Sequence, residues 1–489
     1  MKQTLLMEAV CGQVRLGAVE NGRLCELYVE RPEDENIAGS IFLGRVKNVL
    51  PGMNAAFVDI GLEKNAFLSA VDAAVHDGAL EEQLRGARIE ALARPGQDVL
   101  VQVIKAATGE KGPRVSMHIA LPGRSLVLMP EMSFFGVSRK ITDAAERARL
   151  SALARGALSD AGMGAIMRTA AEGMDEAAVR AEIRAMKALW EEISRRAAHA
   201  TAPVLIHSEQ NLVLRAVRDM LGAQTEALWT DDPALYERLR RAVLAMAPEW
   251  LERVRLHEST TPLFDVYRVD DQLDKALRRQ VWLKNGGTLV IDETEALTVI
   301  DVNTGRFTGR KDIEETVYQN NCEAADEIMR LLRLRDMGGI VVVDFIDMRS
   351  EAHRQDLLER LRTLAAKDRN RVTVVGFTGL GLIEMTRKRA RAPLTRQLTR
   401  PCPICGGSGQ VLSRTAEARR VQREIWRRRR AGDESALLVE TPGPVAQQLR
   451  RLGGPDGGAL YVRGVDEPGE TRLLPVDPDH LPEGSMKLK

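Results

Sequence analysis

Between Thr288 and Arg349 the sequence twice writes an aspartate into an apolar strand pattern. TLVIDETEALTVIDVNTG reads as two strands joined at Glu293 to Glu295, and GGIVVVDFIDM reads as a later, buried strand. Carboxylates are depleted in strands and costly to bury, so Asp301 and Asp344 call for a partner, and a hard cation is the obvious one. From Asp312, a good N-cap with Glu315 as its capping-box partner, a helical pattern runs to about Arg333 before Gly338-Gly339. A strand–helix–strand unit of this kind brings both strand ends to one edge of a sheet. Asn303, two residues after Asp301, shares its face.

An all-oxygen site of this composition favours Mg²⁺, which takes one or two carboxylates plus water and substrate phosphate oxygens. Such a metal polarises a scissile phosphate and activates water, with Asn303 placed to hold that water or an oxygen. The competing explanation is that each aspartate merely caps a turn. His353 is the one histidine close in sequence, so no histidine pair offers metal-free chemistry.

At 489 residues the chain has room for about three domains. No apolar run approaches the roughly 18 residues of a membrane span, and MKQTLLMEAV lacks the shape of a secretory signal. The expected location is the cytoplasm. Net charge is +1, so any nucleic-acid binding must come from local patches. Five cysteines are too few for a disulfide framework; Cys11, Cys25 and Cys322 read as buried free thiols, while Cys402 and Cys405 form a pair.

Three alternating runs, Thr4 to Val10, Gln13 to Glu20 and Arg23 to Glu30, open the chain, with Asn21-Gly22 marking a hairpin. A meander this small cannot bury a core alone, so its other half is expected later in the chain, across an insertion. Five short strands follow: Ile41 to Val49, Ala55 to Ile60, Ala66 to Ala70, Gln97 to Lys105 and Arg114 to Ala120. They suggest a small closed barrel, with Val71 to Pro95 as a surface excursion. Single-strand binders of that type present aromatic faces and cations, here Phe57, Phe67, Lys105 and Lys111; composition alone favours a core role for both phenylalanines.

GSIFLGRVKNVLPGMNAAFVDIGLEKNAFL, IDVNTG, VVVDFIDM and GLGLIEMTRKR together resemble the ribonuclease E/G family. The resemblance implies a multidomain α/β fold. Residues 1–36 and 203–280 would be two parts of an RNase H-like domain, 37–121 an S1 (OB-type) RNA-binding barrel and 122–202 a 5′-sensor region. Residues 281–399 would be a DNase I-like catalytic domain, 400–412 a zinc-link and 413–489 a small C-terminal α/β domain. It implies a Mg²⁺-dependent endoribonuclease acting on single-stranded RNA in ribosomal RNA maturation and messenger RNA turnover. Asp301 and Asp344 would hold the metal, with Asn303 beside them and Asp347 structural. The phenylalanines move to the RNA-binding face. Gly123, Val127, Arg168 and Thr169 would form a pocket for a 5′-monophosphate. One departure is Gly379, where ribonuclease E carries an arginine that helps position the 5′ end.

PCPICGGSG has the look of a zinc knuckle, but a tetrahedral Zn²⁺ site needs four ligands and the chain has no second CxxC. A second copy giving its own Cys402 and Cys405 completes the set, and the family links two subunits this way, as a dimer or a dimer of dimers. A redox pair is the rival, disfavoured by the glycines that follow. Beyond it RTAEARRVQREIWRRRRAG reads as a basic helix, ALLVE and ALYVRG as strands and DPDHLPEGSMKLK as a loose terminus. The rival function is a noncatalytic RNA-binding assembly protein using the barrel and the basic helix.

Overall fold

Asn21 and Gly22 both take positive φ (50° and 76°), and this turn folds the first strands back on one another. β1 (Gln3–Val10), β2 (Gln13–Glu20) and β3 (Arg23–Glu30) form the expected antiparallel meander. The computed structural model describes residues 2–31, 37–74, 87–107, 112–208, 212–305, 313–389, 393–454, 458–466 and 471–488. It divides into two units, Met1–Leu394 and Thr395–Lys489.

In the first unit the meander gains its missing half from far along the chain. β14 (Thr225–Thr230) pairs in parallel with β1, and β15 (Val254–Leu256) pairs in parallel with β14. Leu5, Met7 and Leu16 of this sheet close a core with Val217, Leu235 and Leu239. Between Ala202 and Gly287 the sequence pattern predicts one strand, APVLIH, and long helices over Asn211 to Leu221, Pro233 to Ala245 and Asp271 to Lys284, the last stopped at Gly286-Gly287; β14 and β15 are not in it. The pattern from Asp271 to Lys284 folds instead as a short helix, Val269–Ala276, followed by β16 (Gln280–Trp282). In β16 only Val281 points inward, a period of two too brief to distinguish from a helical turn. Gly286-Gly287 is then the hairpin turn into β17 (Thr288–Glu293), not a helix stop.

β4 (Ile41–Leu50), β5 (Ala55–Asp59), β6 (Ala66–Ser69), β8 (Arg114–Ser116) and β7 (Asp98–Lys105) pair in that order, and β7 returns to β4, closing a barrel. β13 (Val204–His207) adds to β4 outside the ring. Its core holds Val46, Val58, Leu68, Val101 and Val115. Ala73, Ile89 and Ala93 also belong to that core, so the segment expected as a surface excursion partly plugs the barrel.

β9 (Leu121–Pro122), β10 (Leu126–Met129), β11 (Phe135–Val137) and β12 (Gly164–Met167) form a small sheet. The helices Ala144–Leu158 and Glu176–His199 share one core with it through Leu150, Leu153, Val179 and Ile183.

The last sheet of this unit runs β16, β17, β18 (Leu297–Asn303), β19 (Gly339–Asp344), β21 (Ile383–Arg387), β20 (Val372–Phe377). Only β18 and β19 are parallel neighbours, connected through the helix Ile313–Leu334. Ile300, Val302, Val341 and Val343 are buried, whereas Val299, Ile340 and Val375 on the other face are 39%, 50% and 60% exposed. β19, expected to be buried on both faces, is therefore buried on one. An ion-pair cluster ties this layer to the N-terminal sheet: the Arg333 guanidinium donates to Glu20 (2.6 Å) and Glu26 (2.7 Å), and Arg330 donates to the Leu24 carbonyl. Burial pushes the Glu26 carboxyl up, but Arg369 and Arg333 outweigh it and hold it below the usual range.

The second unit is a four-stranded sheet, β24 (Arg472–Pro475), β22 (Leu437–Pro442), β23 (Leu460–Val465), β25 (Met486–Lys487), with the helices Arg414–Arg430 and Gly443–Leu452. The terminus expected to be loose is docked: β25 pairs with β23, and Leu488 enters the core.

Candidate functional site

The parallel register of β18 on β19 sets Asp301 directly beside Asp344. Adjacent strands lie about 4.8 Å apart, so the two carboxylates stand side by side on the exposed face of the sheet. Both residues are exposed, so the cost that singles them out is mutual repulsion rather than burial. Asn303 shares the face and its Nδ2 donates to Asp301 Oδ2 at 2.7 Å. Among the described residues no hydrogen bond or ion pair reaches the Asp344 carboxylate.

Residues that sequence reasoning missed hold this edge in place. Asn321, fully buried, donates to the Ile346 carbonyl (2.7 Å) and accepts from the Ile346 amide (3.1 Å), fixing the chain just past Asp344. Glu314 Oε1 accepts from the Arg349 and Ser350 amides at 3.0 Å each. At the Asp301 end, Gly305 has φ +56°, and a Cβ there would meet the Gly286 carbonyl oxygen at 2.4 Å, so the turn after Asn303 requires glycine. A polar Asn321 inside the apolar stripe of a helix was the available sequence signal. The Asp312 cap lies outside the described residues.

A second cluster gathers around the 5′-pocket candidates. Arg168 donates through Nη1 to the Gly123 carbonyl (2.6 Å) and through Nη2 to Asp219 Oδ1 (2.8 Å). Val127 pairs with Pro122 on one side and Ile166 on the other, one residue from Gly123 and two from Arg168 in sequence. The Thr169 hydroxyl lies 3.0 Å from that of Ser138. Asp219 was not foreseen. It also accepts from Arg218, whose Nη1 donates to the Pro122 carbonyl, so one carboxylate holds two guanidinium groups. Burial pushes the Asp219 carboxyl up, but Arg218 and then Arg168 outweigh it, leaving it below its ordinary pKa. Glu182 fixes the loop from beneath by accepting from the Arg124 and Ser125 amides. Gly379 lies in an exposed turn where a Cβ would meet nothing within 4 Å.

On the barrel, Phe57 pairs with Phe67, Phe67 with Arg114, and Arg114 with Lys105, a single row across β5, β6, β8 and β7. The rings meet edge to face at 6.0 Å, are half-buried, and lie outside the barrel's core cluster. Arg114, which the sequence reading passed over, supplies the guanidinium in the middle of the row and is braced by Asp72 at 2.7 Å. Lys111 lies outside the described residues.

In the second unit Cys402 is exposed and Cys405 half-buried. The Gly409 amide donates to Cys405 Sγ at 3.3 Å, and with the Gly407 amide it holds that thiol below its ordinary pKa. Of the three thiols expected to be buried, Cys25 is, Cys322 is half-buried, and Cys11 is exposed in a hairpin turn at φ 51°. Burial pushes Cys25 up to about 12.

A closed barrel with an aromatic and cationic row, joined in one chain to an α/β layer carrying paired strand-end carboxylates, defines a mixed α/β protein. The model of the Ribonuclease E/G family matches residues 120–390. Ribonuclease G of Haemophilus influenzae is 42% identical over 427 residues, covering 86% of this chain and 87% of that protein. Ribonuclease G of Escherichia coli K12 is 39% identical over 454 residues, covering 92% and 93%. Ribonuclease E of E. coli K12 is 35% identical over 452 residues, covering 92% of this chain but 42% of that longer protein. The chain belongs to the Ribonuclease E/G family.

Proposed function

We propose that the chain is an endoribonuclease that cuts single-stranded RNA to leave a 5′-phosphate and a 3′-hydroxyl, and whose action is stimulated by a 5′-monophosphate end. Relatives named Ribonuclease G that align over nearly their whole length support the activity. The observation that carries the site is the register that pairs Asp301 with Asp344. Two neighbouring exposed carboxylates, one of them without a protein partner among the described residues, are a donor set that suits Mg²⁺. When bound, the metal polarises a phosphoryl oxygen and activates water. Asn303 orients Asp301 through its amide and offers a second polar contact to the substrate, while Asn321 and Glu314 keep Asp344 on a fixed turn.

In this reading the Phe57–Phe67–Arg114–Lys105 row, together with Lys111, stacks bases and neutralises phosphates. Gly123, Val127, Arg168 and Thr169 receive the 5′-phosphate. Cys402 and Cys405 hold Zn²⁺ shared with a second copy, so the working form is a dimer or a dimer of dimers. The barrel is then the S1 domain (37–121), residues 1–36 and 203–280 the RNase H-like domain, 122–202 the 5′-sensor region and 281–399 the DNase I-like domain. Residues 400–412 form the zinc-link and 413–489 the small domain. Ribosomal RNA maturation and messenger RNA turnover in the cytoplasm are the proposed setting; no helix among the described residues is long and apolar enough to cross a membrane.

The test is cleavage of a 5′-monophosphorylated single-stranded oligonucleotide with and without Mg²⁺. Wild type should cut only with the metal, and Asp301→Asn and Asp344→Asn should not cut. Undiminished cutting by either variant removes the assigned site; no cutting by wild type, with or without Mg²⁺, leaves the noncatalytic assembly protein as the better account. Zinc content and sizing of Cys402→Ser test the link, which fails if dimer and zinc are unchanged.

A further inference from the structure

The helix Arg414–Arg430 carries eight arginines against two glutamates, Glu417 and Glu424, in a chain whose whole net charge is +1. Its orientation is fixed from inside. Ala418, Val421 and Ile425 pack on Leu437, Val439, Val445 and Leu460 in the core of the second unit. At 3.6 residues per turn the opposite face carries Arg419, Arg423 and Arg430 in line, with Arg420 and Arg427 along one side and Trp426 along the other. All six are exposed, Trp426 to 47%. The stripe is about 16 Å long at 1.5 Å per residue.

Its charges are left largely uncompensated. Among the described residues no carboxylate bonds Arg419, Arg420, Arg423 or Arg430, and Glu424 reaches only Arg427 and Arg428, at 3.5 and 3.9 Å. By contrast Arg429, on the packed side, is consumed by the Asp433 and Ser435 carbonyls and closes the helix end. The Arg430 guanidinium lies 5.2 Å from the centre of the Trp426 ring, so the tryptophan stays flat beside a cation rather than inside the core.

We propose that this face is a second RNA-binding surface, one that grips the sugar–phosphate backbone of single-stranded RNA without reading sequence and stacks a base on Trp426. The inference rests on the endoribonuclease reading for its choice of RNA. A row of guanidinium forks matches successive phosphates, and an aromatic ring among them is the complement of a base. A membrane surface is a poor fit, because an interfacial helix needs a free apolar face and this one has spent its own on the core.

Full-length protein is titrated with a single-stranded RNA oligonucleotide in EDTA, so that binding is read without cleavage, over a range of salt. Each phosphate contact to single strands contributes about 0.7 to the slope of log affinity against log salt. Arg419→Ala/Arg423→Ala/Arg430→Ala should therefore lower that slope by about 2, while the corresponding Lys triple keeps it. Trp426→Ala should weaken binding about tenfold at unchanged slope. Circular dichroism and melting check folding, and a Gln triple replaces the Ala triple if the latter is unfolded. If wild type binds and the Ala or Gln triple keeps both affinity and slope, the surface is a solvated face and the proposal falls alone. A change confined to self-association on sedimentation also overturns it, in favour of an interface between copies. If wild type does not bind RNA at all, the reading beneath it falls as well.

Discussion

The pair Asp301–Asp344 and the cluster around Arg168 are both charged sites in the first unit, and they are built in opposite ways. At the sheet edge two like charges lie in register, relieved among the described residues only by the Asn303 amide. Around Arg168 the charges are paired within the protein: Asp219 takes both Arg168 and Arg218, and the Gly123 and Pro122 carbonyls each take one further N–H. An uncompensated pair is what a site needs if its missing component arrives from solution with the opposite sign. A compensated cluster is poised: Arg168 is held in one orientation by Gly123 and Asp219, so in the proposed pocket a phosphate would meet a fixed guanidinium rather than order a loose one.

This contrast can be broken at either site. The largest expected effect is at the pair, where Asp344→Asn or Asp301→Asn removes a carboxylate with nothing to replace it; cleavage at saturating RNA should fall about a thousandfold or more. A smaller effect is expected at Asp219. Asp219→Asn frees Arg168 and should erase about tenfold of the rate preference for 5′-monophosphate over 5′-hydroxyl RNA, with cutting of the latter unchanged. Asp219→Glu should restore part of it, and Arg168→Ala should match the loss; a preference that survives Arg168→Ala would remove the pocket itself. Because the folded pKa of Asp219 is lowered, its contribution is present above the ordinary carboxylate range and lost only as pH falls through that lower value. Above the titration of the 5′-phosphate itself, near pH 6, the preference should accordingly stay flat to about pH 9. Smaller again is Gly379→Arg: the open turn admits a side chain, and a guanidinium there should raise the preference a few-fold, about 1 kcal/mol for an exposed charged contact.

The same contrast explains what could be read from the sequence. Asp301, Asn303 and Asp344 were legible because carboxylates in an apolar strand break a local rule, and strand–helix–strand chirality leaves few ways to place their ends. The meander and the barrel were legible from alternation and turn residues, and β4 to β8 begin within a residue of where the pattern puts them. Asp219 and Arg114 were not. Each works through a partner remote in sequence, 51 residues away for Arg168 and 42 for Asp72, and carries no local signature. β16 was misread because three residues cannot separate a period of two from 3.6. The exposure of β19's second face was misread because a run of valine says only that a strand is favourable, not how many faces are covered.

The smallest effect is the one that discriminates best, because the two sites should differ in its sign. Like charges directly opposite on neighbouring strands destabilise by about 0.2–1 kcal/mol. Without metal, Asp344→Asn should therefore stabilise the protein, raising Tm by about 1–2 °C. Asp219→Asn leaves two guanidinium groups short of a carboxylate and should lower stability by about 1–3 kcal/mol. Adding Mg²⁺ should raise the Tm of wild type by mass action while leaving Asp344→Asn unmoved. If instead Asp344→Asn destabilises in EDTA as Asp219→Asn does, then Asp344 is a structural residue holding the turn at Ile346, and the distinction between an unfilled site and a prearranged one is lost. A stabilised, metal-blind and inactive Asp344→Asn would mean that the fold tolerates the repulsion for the sake of the ion that relieves it.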